Sequence, residues 1–145
     1  MSELLERITA VIHGQRFAVL ATTGEDGPYT SLVAFAVTGS PHELVFVTPR
    51  DSAKYRNLAG NDRVSLFIDD RGNRDADLRD ATGITLMGRA VEVTDRRRDE
   101  ILPRYLERHG RLADFAGDEA NALVLVRITR YVMVSKFRKV EVFEA

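Results

Sequence analysis

The sequence predicts a mainly β protein: an antiparallel barrel of about seven strands with flanking helices, in one domain spanning residues 1–145. Three observations carry this. Compact apolar runs rich in Val, Ile, Leu and Phe recur along the chain, and short clusters of Gly, Pro, Asp and Asn separate them. Helical periodicity is confined to the start, the segment after Thr48 and the segment before the last strands. Many antiparallel strands with few helices favour a closed or partly closed barrel over an open sheet, because closure removes unpaired edges.

Composition narrows the function classes. The 145 residues are enough to bury a real core, and 44% hydrophobic with 30% charged residues is ordinary for a soluble globular chain. A formal net charge of -1 gives no long-range attraction for nucleic acid or an anionic membrane. Cys is absent, which excludes disulfides, thiolate metal sites and cysteine nucleophiles within the chain. His13, His42 and His109 lie far apart without ligand spacing, so no metal site is expected. Glu3 and Glu6 interrupt the apolar N-terminal residues, unlike a signal peptide, and no run approaches the roughly 20 apolar residues of a membrane span. A cytoplasmic protein is the expectation.

Taken in order, residues 2–13 place Leu4, Leu5, Ile8, Val11 and Ile12 at helical spacing, with Ser2 as N-cap and Gly14 as the stop, to cover an opening of the core. Residues 17–23 form an apolar strand that ends in a Gly/Asp/Pro turn, and residues 29–38 return as its hairpin partner. After a turn at residues 39–42, residues 43–48 make a third strand, so a three-stranded meander feeds the helix at Thr48.

Gly60 and Asn61 stop that helix, and residues 64–68 are a fourth strand. Residues 69–80 are dense in Asp, Arg, Gly and Asn and read as an exposed, mobile loop. The fifth strand, residues 82–94, contains Gly88, which marks a bulge or a close backbone approach. A second long helix covers residues 95–109, where Asp95, Asp99 and Glu100 intersperse the arginines and Pro103 predicts a kink or the start of the regular part. Residues 111–118 read as a linker anchored by Phe115. Residues 122–128 and 131–137 read as two further strands, with residues 140–143 a short continuation.

The chemistry concentrates in residues 48–70. Thr48 can serve as N-cap with Pro49 in the first turn and Asp51 three residues later, a capping-box pattern with Asp for Glu. The first amides of a helix lack intrahelical partners and sit at the positive end of the macrodipole, so a phosphate is stabilised there. Arg50, Ser52 and Lys54 could add a hydroxyl and two cations. The alternative is a well-capped surface helix with solvated charges.

The order of several fragments adds a resemblance. These are residues 17–22, Gly27-Pro28-Tyr29-Thr30-Ser31-Leu32-Val33-Ala34-Phe35, Leu44-Val45-Phe46-Val47-Thr48 and Arg50-Asp51-Ser52-Ala53-Lys54. They continue with Asn57-Leu58, Asn61-Asp62-Arg63-Val64-Ser65-Leu66 and Leu86-Met87-Gly88-Arg89-Ala90. Together they resemble the pyridoxamine 5'-phosphate oxidase-like family of flavin-binding split β-barrels, over about residues 17–94. The resemblance implies a homodimer holding FMN at the subunit interface and a flavin-dependent oxidoreductase acting on a small substrate. It implies that Thr48, Ser52 and Lys54, with Arg50, hold the phosphate, and that the ring system lies along Ser31, Leu32 and Val33. The partner subunit would complete the site from residues 82–88 and from Lys136, Phe137 and Arg138.

Departures from the family pattern are also visible. Ala53 precedes Lys54 where the oxidases carry two basic residues, and residues 140–145 are acidic and apolar where those enzymes have an arginine-rich substrate site. These point away from pyridoxamine phosphate as substrate. A non-catalytic module for flavin, haem or another phosphorylated ligand, and a deazaflavin-dependent reductase, are the alternative readings. Tyr29, His42 and Tyr131 are acid–base candidates by residue type alone, and no catalytic residue is assigned.

Overall fold

The computed structural model describes residues 2–145. The Leu5 amide donates to Ser2 Oγ at 3.1 Å and opens α1 (Glu3–His13), which Gly14 ends by donating back to the Ala10 carbonyl. Its stripe of Leu5, Ile8 and Ile12 is buried, and Ile8 and Ile12 join the barrel core. β1 (Phe17–Gly24) and β2 (Gly27–Val37) form a hairpin in which Gly24 pairs with Gly27. Gly27 has φ 105°, a conformation open to glycine and strained for other residues. β3 (Glu43–Pro49) completes the meander.

α2 (Ala53–Gly60) and β4 (Arg63–Asp69) follow, then a loop holding the short α3 (Asp77–Asp80), then β5 (Thr82–Val93). α4 (Asp95–Arg108) is one helix with Pro103 inside it. A 3-10 turn at Gly110–Leu112 and α5 (Ala113–Gly117) occupy the segment read as a linker, and its anchor is the fully buried Ala116, whereas Phe115 is exposed. β6 (Asn121–Ser135) and β7 (Lys139–Glu144) end the chain.

The strand order β3-β2-β1-β4-β5-β6 closes through pairing of β3 with β6, giving a six-stranded antiparallel barrel, with β7 attached to β6 outside the closure. Residues 122–128 and 131–135, expected in two strands, belong to one strand, and Lys136 and Phe137 fall in the turn after it. The interruption is a bulge: Met87 pairs with Arg130 and Gly88 with Ile128, leaving Thr129 as the extra residue. A Cβ on Gly88 would collide with the Arg127 carbonyl oxygen, so this close approach requires glycine. β6 also changes neighbours here. Its residues 121–127 pair with β3 and its residues 130–135 with β7.

Two apolar clusters result. The barrel interior holds Leu20, Phe35, Phe46, Leu66, Ile84 and Tyr131. A second cluster lies outside the barrel, where α4 and α5 cover Ala36, Val45, Val47, Leu123 and Leu125 with Tyr105 and Ala116. Residues 44–48 and 121–126 are therefore buried on both faces, which explains their unbroken apolar runs. On the opposite outer surface no helix intervenes. There Leu32, Val19, Phe67, Thr85, Val132 and Val142 form one cross-strand row over six strands. Among the described residues no helix is long and apolar enough to cross a membrane and no cluster of His, Asp and Glu could hold a metal ion.

Candidate functional site

The helix after β3 begins later than the sequence suggests. Thr48 is buried within β3, and a turn in which the Ser52 amide donates to the Pro49 carbonyl precedes the first helical residue. Ser52 is the N-cap: its Oγ accepts from the Tyr55 amide at 3.2 Å and is hydrogen-bonded to Thr48 Oγ1 at 2.8 Å. Thr48 thus supports the cap, and the Thr48 capping box with Asp51 is not formed because residues 49–51 are spent on the turn.

This helix start is unusual electrostatically. Its first turn contains no acidic residue and does contain Lys54, a cation at the end where the macrodipole favours anions. Among the described residues Lys54 has no ion-pair partner, and the Ala53 and Lys54 amides have no hydrogen-bond acceptor. Two backbone donors, a cation and the Ser52 hydroxyl therefore suit a phosphate, with the buried Thr48 hydroxyl behind Ser52.

Arg50 is engaged elsewhere. It bonds Glu92 Oε2 at 2.6 Å and the Glu119 carbonyl, while the Tyr55 hydroxyl donates to Glu92 Oε1 at 2.5 Å. The bond to Glu92 raises the pKa of both Arg50 and Tyr55. Burial works against the Glu92 charge, but the bonds from Tyr55 and Arg50 outweigh it and hold that carboxyl below the usual range. This group braces the junction of β3, α2 and β5.

Ser31, Leu32 and Val33 lie in the half of β2 that pairs only with β1. β3 pairs with residues 35–37 of β2 and the Tyr105 hydroxyl donates to the Ala34 carbonyl, so residues 28–33 present an open strand edge on the side toward β3. Val33 is buried inside the barrel and Leu32 is 65% exposed on the outer surface. The Ser31 hydroxyl is buried with no hydrogen-bond partner, an orphaned donor and acceptor beside that edge. An open row of amides and carbonyls, a bare Leu and a phosphate-suited helix start on the next strand match the requirements of a flat, polar-edged ring system with a phosphate tail.

Some of the residues expected from a partner subunit meet elsewhere. Phe137 and Gly83 line a pocket of about 430 Å³ with Phe67, Leu78 and Val134. The turn there is tight, with Lys136 at φ 52° and Phe137 at φ 61°. Nine positions along β5 separate Gly83 from Glu92, the residue bonded to Tyr55 of α2, which is about 30 Å at the rise of a strand. Gly83 and Phe137 therefore lie far along the barrel from the helix start, whereas Thr85 shares a cross-strand row with Leu32. The acid–base candidates are not brought to the helix start. His42 Nδ1 and the Tyr131 hydroxyl are 3.1 Å apart and Tyr131 donates to the Pro41 carbonyl; the exception is Tyr29, which lines a cavity with Ala53, Arg56 and Asn57 of α2.

Comparison with known proteins agrees with this architecture. No curated protein sequence matches the chain. Among solved structures it is similar to a heme binding protein from Mycobacterium smegmatis, with TM-score 0.87 and 18% identity over 99% of this chain and 59% of that one. The general stress protein 26 from Bacillus anthracis gives TM-score 0.75 and 22% identity over 99% and 100% of the two chains. A FAD-binding protein from Mesorhizobium loti gives TM-score 0.71 and 19% identity over 92% of each. The chain thus spans well under two thirds of the mycobacterial protein and the full length of the Bacillus one. At these identities the structures speak for the fold. The family model described as pyridoxamine 5'-phosphate oxidase matches residues 4–134, and the chain belongs to that family.

Proposed function

We propose that the protein is an FMN-binding flavoprotein, a cytoplasmic flavin-dependent oxidoreductase acting on a small substrate. The observation that carries this reading is the acid-free helix start at Ser52 and Lys54 beside the open edge of β2 with its orphaned Ser31 hydroxyl. Ser52, Lys54 and the first α2 amides hold the phosphate, and Thr48 fixes the Ser52 rotamer. Arg50 acts through Glu92 and Tyr55 to keep the helix start in place. Residues 31–33 offer backbone groups to the ring edge, and Leu32 excludes water from its face. Bound flavin supplies the electron and hydride chemistry.

The working unit is a homodimer. The row from Leu32 to Val142 leaves apolar side chains in water, with Leu32 65%, Phe67 43% and Val142 49% exposed, and a second copy is the occupant that fits. The separation of Gly83 and Phe137 from the helix start supports the same assembly, because those residues then meet the flavin of the other copy.

Flavin titration tests the reading. FMN should stay bound through gel filtration, and the pair Ser52→Ala, Lys54→Ala should weaken it on the order of 100-fold, the loss of a charge-assisted and a hydroxyl bond. Riboflavin, lacking the phosphate, should change less than about threefold. Equal losses for both would remove the phosphate from the helix start. Titration with FAD and a deazaflavin ranks the cofactors, and anaerobic reduction by nicotinamide nucleotides separates an enzyme from a storage module.

A further inference from the structure

Three arginines stand directly opposite one another on adjacent strands of the helix-free surface. Arg63 on β4 is paired with Arg89 on β5, and Arg89 with Arg127 on β6. Like charges at opposed positions destabilise a sheet, and here the opposition is repeated across two junctions. Asp62 answers Arg89 at 2.7 Å and Glu43 answers Arg127 at 3.4 Å. Among the described residues Arg63 has no ion-pair partner.

The β6 bulge adds a fourth cation. Arg127 and Arg130 are three residues apart, so regular alternation would send them to opposite faces of the sheet. With Thr129 inserted, Ile128 and Tyr131 face the core and both arginines are exposed. Arg63, Arg89 and Arg130 then line one groove of about 630 Å³, with Thr23, Ser65 and Thr129 beside them. Glu144 answers Arg130 at 2.7 Å and is the one acidic residue of that lining. Strand spacing puts the Arg63 and Arg89 backbones about 5 Å apart, close enough for their forks to hold adjacent anionic groups.

We propose that this groove binds a small polyanion carrying two or three adjacent phosphate or carboxylate groups, with Arg63 and Arg89 as its principal forks. Guanidinium groups bind phosphate and carboxylate oxygens in pairs, and Arg63 has its donors uncommitted. The anion removes the repulsion within the row, so binding and strain relief act together. The groove is lined by residues of β1, β2, β4, β5, β6 and β7 and by none of α2, so it is distinct from the helix start at Ser52 and Lys54.

Thermal unfolding of the full chain tests this with millimolar tripolyphosphate, ATP or citrate, each against sodium chloride of equal ionic strength. At least one anion should raise Tm by about 3 °C or more beyond the salt control. A response to tripolyphosphate alone marks free polyphosphate, a larger one to ATP marks a nucleotide, and one to citrate marks a polycarboxylate. Arg63→Gln should leave the anion-free Tm unchanged or higher and abolish the shift, while Lys54→Ala should keep it. Arg130→Gln, on the opposite wall, should weaken calorimetrically measured binding roughly tenfold. The proposal is overturned by no shift beyond salt, by a shift that survives Arg63→Gln, or by one lost in Lys54→Ala, which would put the anion at the helix start.

Discussion

The outside of this barrel has two surfaces made by some of the same strands, and only one of them is covered by the chain itself. Under α4 and α5, β6 presents Leu123 and Leu125 and β2 presents Ala36, all nearly or fully buried. Ten residues or fewer along the same strands, Leu32 of β2 is 65% exposed and Val132 joins the bare cross-strand row. Residue type does not distinguish the two surfaces; both are apolar. What differs is that the connection from β5 to β6 is a helical excursion that folds back over β3, whereas the connections on the other side are a tight turn, a charged loop and a hairpin. The covered surface belongs to the stability of the chain, and the bare one to whatever docks on it.

Truncation on the two surfaces is the strongest way to break that contrast. Leu123→Ala should cost about 2–5 kcal/mol in urea unfolding, because the buried site cannot collapse around the lost atoms. Phe67→Ala on the bare surface should cost under about 1 kcal/mol at concentrations where the chain is a monomer. Equal losses would show that the bare surface is part of the fold's own core. A second measurement sharpens the contrast: Leu32→Glu with Phe67→Glu should convert a homodimer to a monomer in sedimentation velocity and leave the far-ultraviolet circular dichroism spectrum unchanged. Dimers that persist would place the interface elsewhere.

The smallest effect separates the covered cluster from the surface by titration. Burial pushes Tyr105, on the inner face of α4, and Tyr131, in the barrel, up to about 12. An unfolded phenol titrates near 10. Below about pH 9 both states keep these protons and stability is flat. Between pH 10 and 12 the unfolded chain loses them first, so stability falls as pH rises. Tyr105→Phe should make that fall shallower, read by urea midpoints across the window.

The sequence made much of this legible where the signal is local. Ser2 and Gly14 bracket α1 because cap chemistry acts over three or four residues, and Gly88 announces a bulge because an interior strand rarely gives up a side chain without a close neighbour. The helix start was placed four residues early because Thr48 and Ser52 carry the same capping hydroxyl, and only the turn at residues 49–51 decides between them. β6 looked like two strands because Thr129 and Arg130 break its apolar run, and the break is a bulge that depends on pairing with β5. Phe115 looked like an anchor by size, but Ala116 is the residue that fits under α4. The open edge of β2 and the arginine row depend on register between distant segments, which no single stretch encodes.

β6 serves two partners in succession, β3 with its first half and β7 with its second. β7 has no other strand neighbour and contributes only Phe143, partly buried, to the barrel core. It can therefore open as a separate unit, at a lower free energy than the closed barrel, and its amides should lead the chain in hydrogen exchange. Since β7 carries Val142, the end of the apolar row, a molecule seated on that row must order β7 as it binds. Linkage makes the effect reciprocal: each kcal/mol by which docking holds β7 down is a kcal/mol by which a frayed β7 weakens docking.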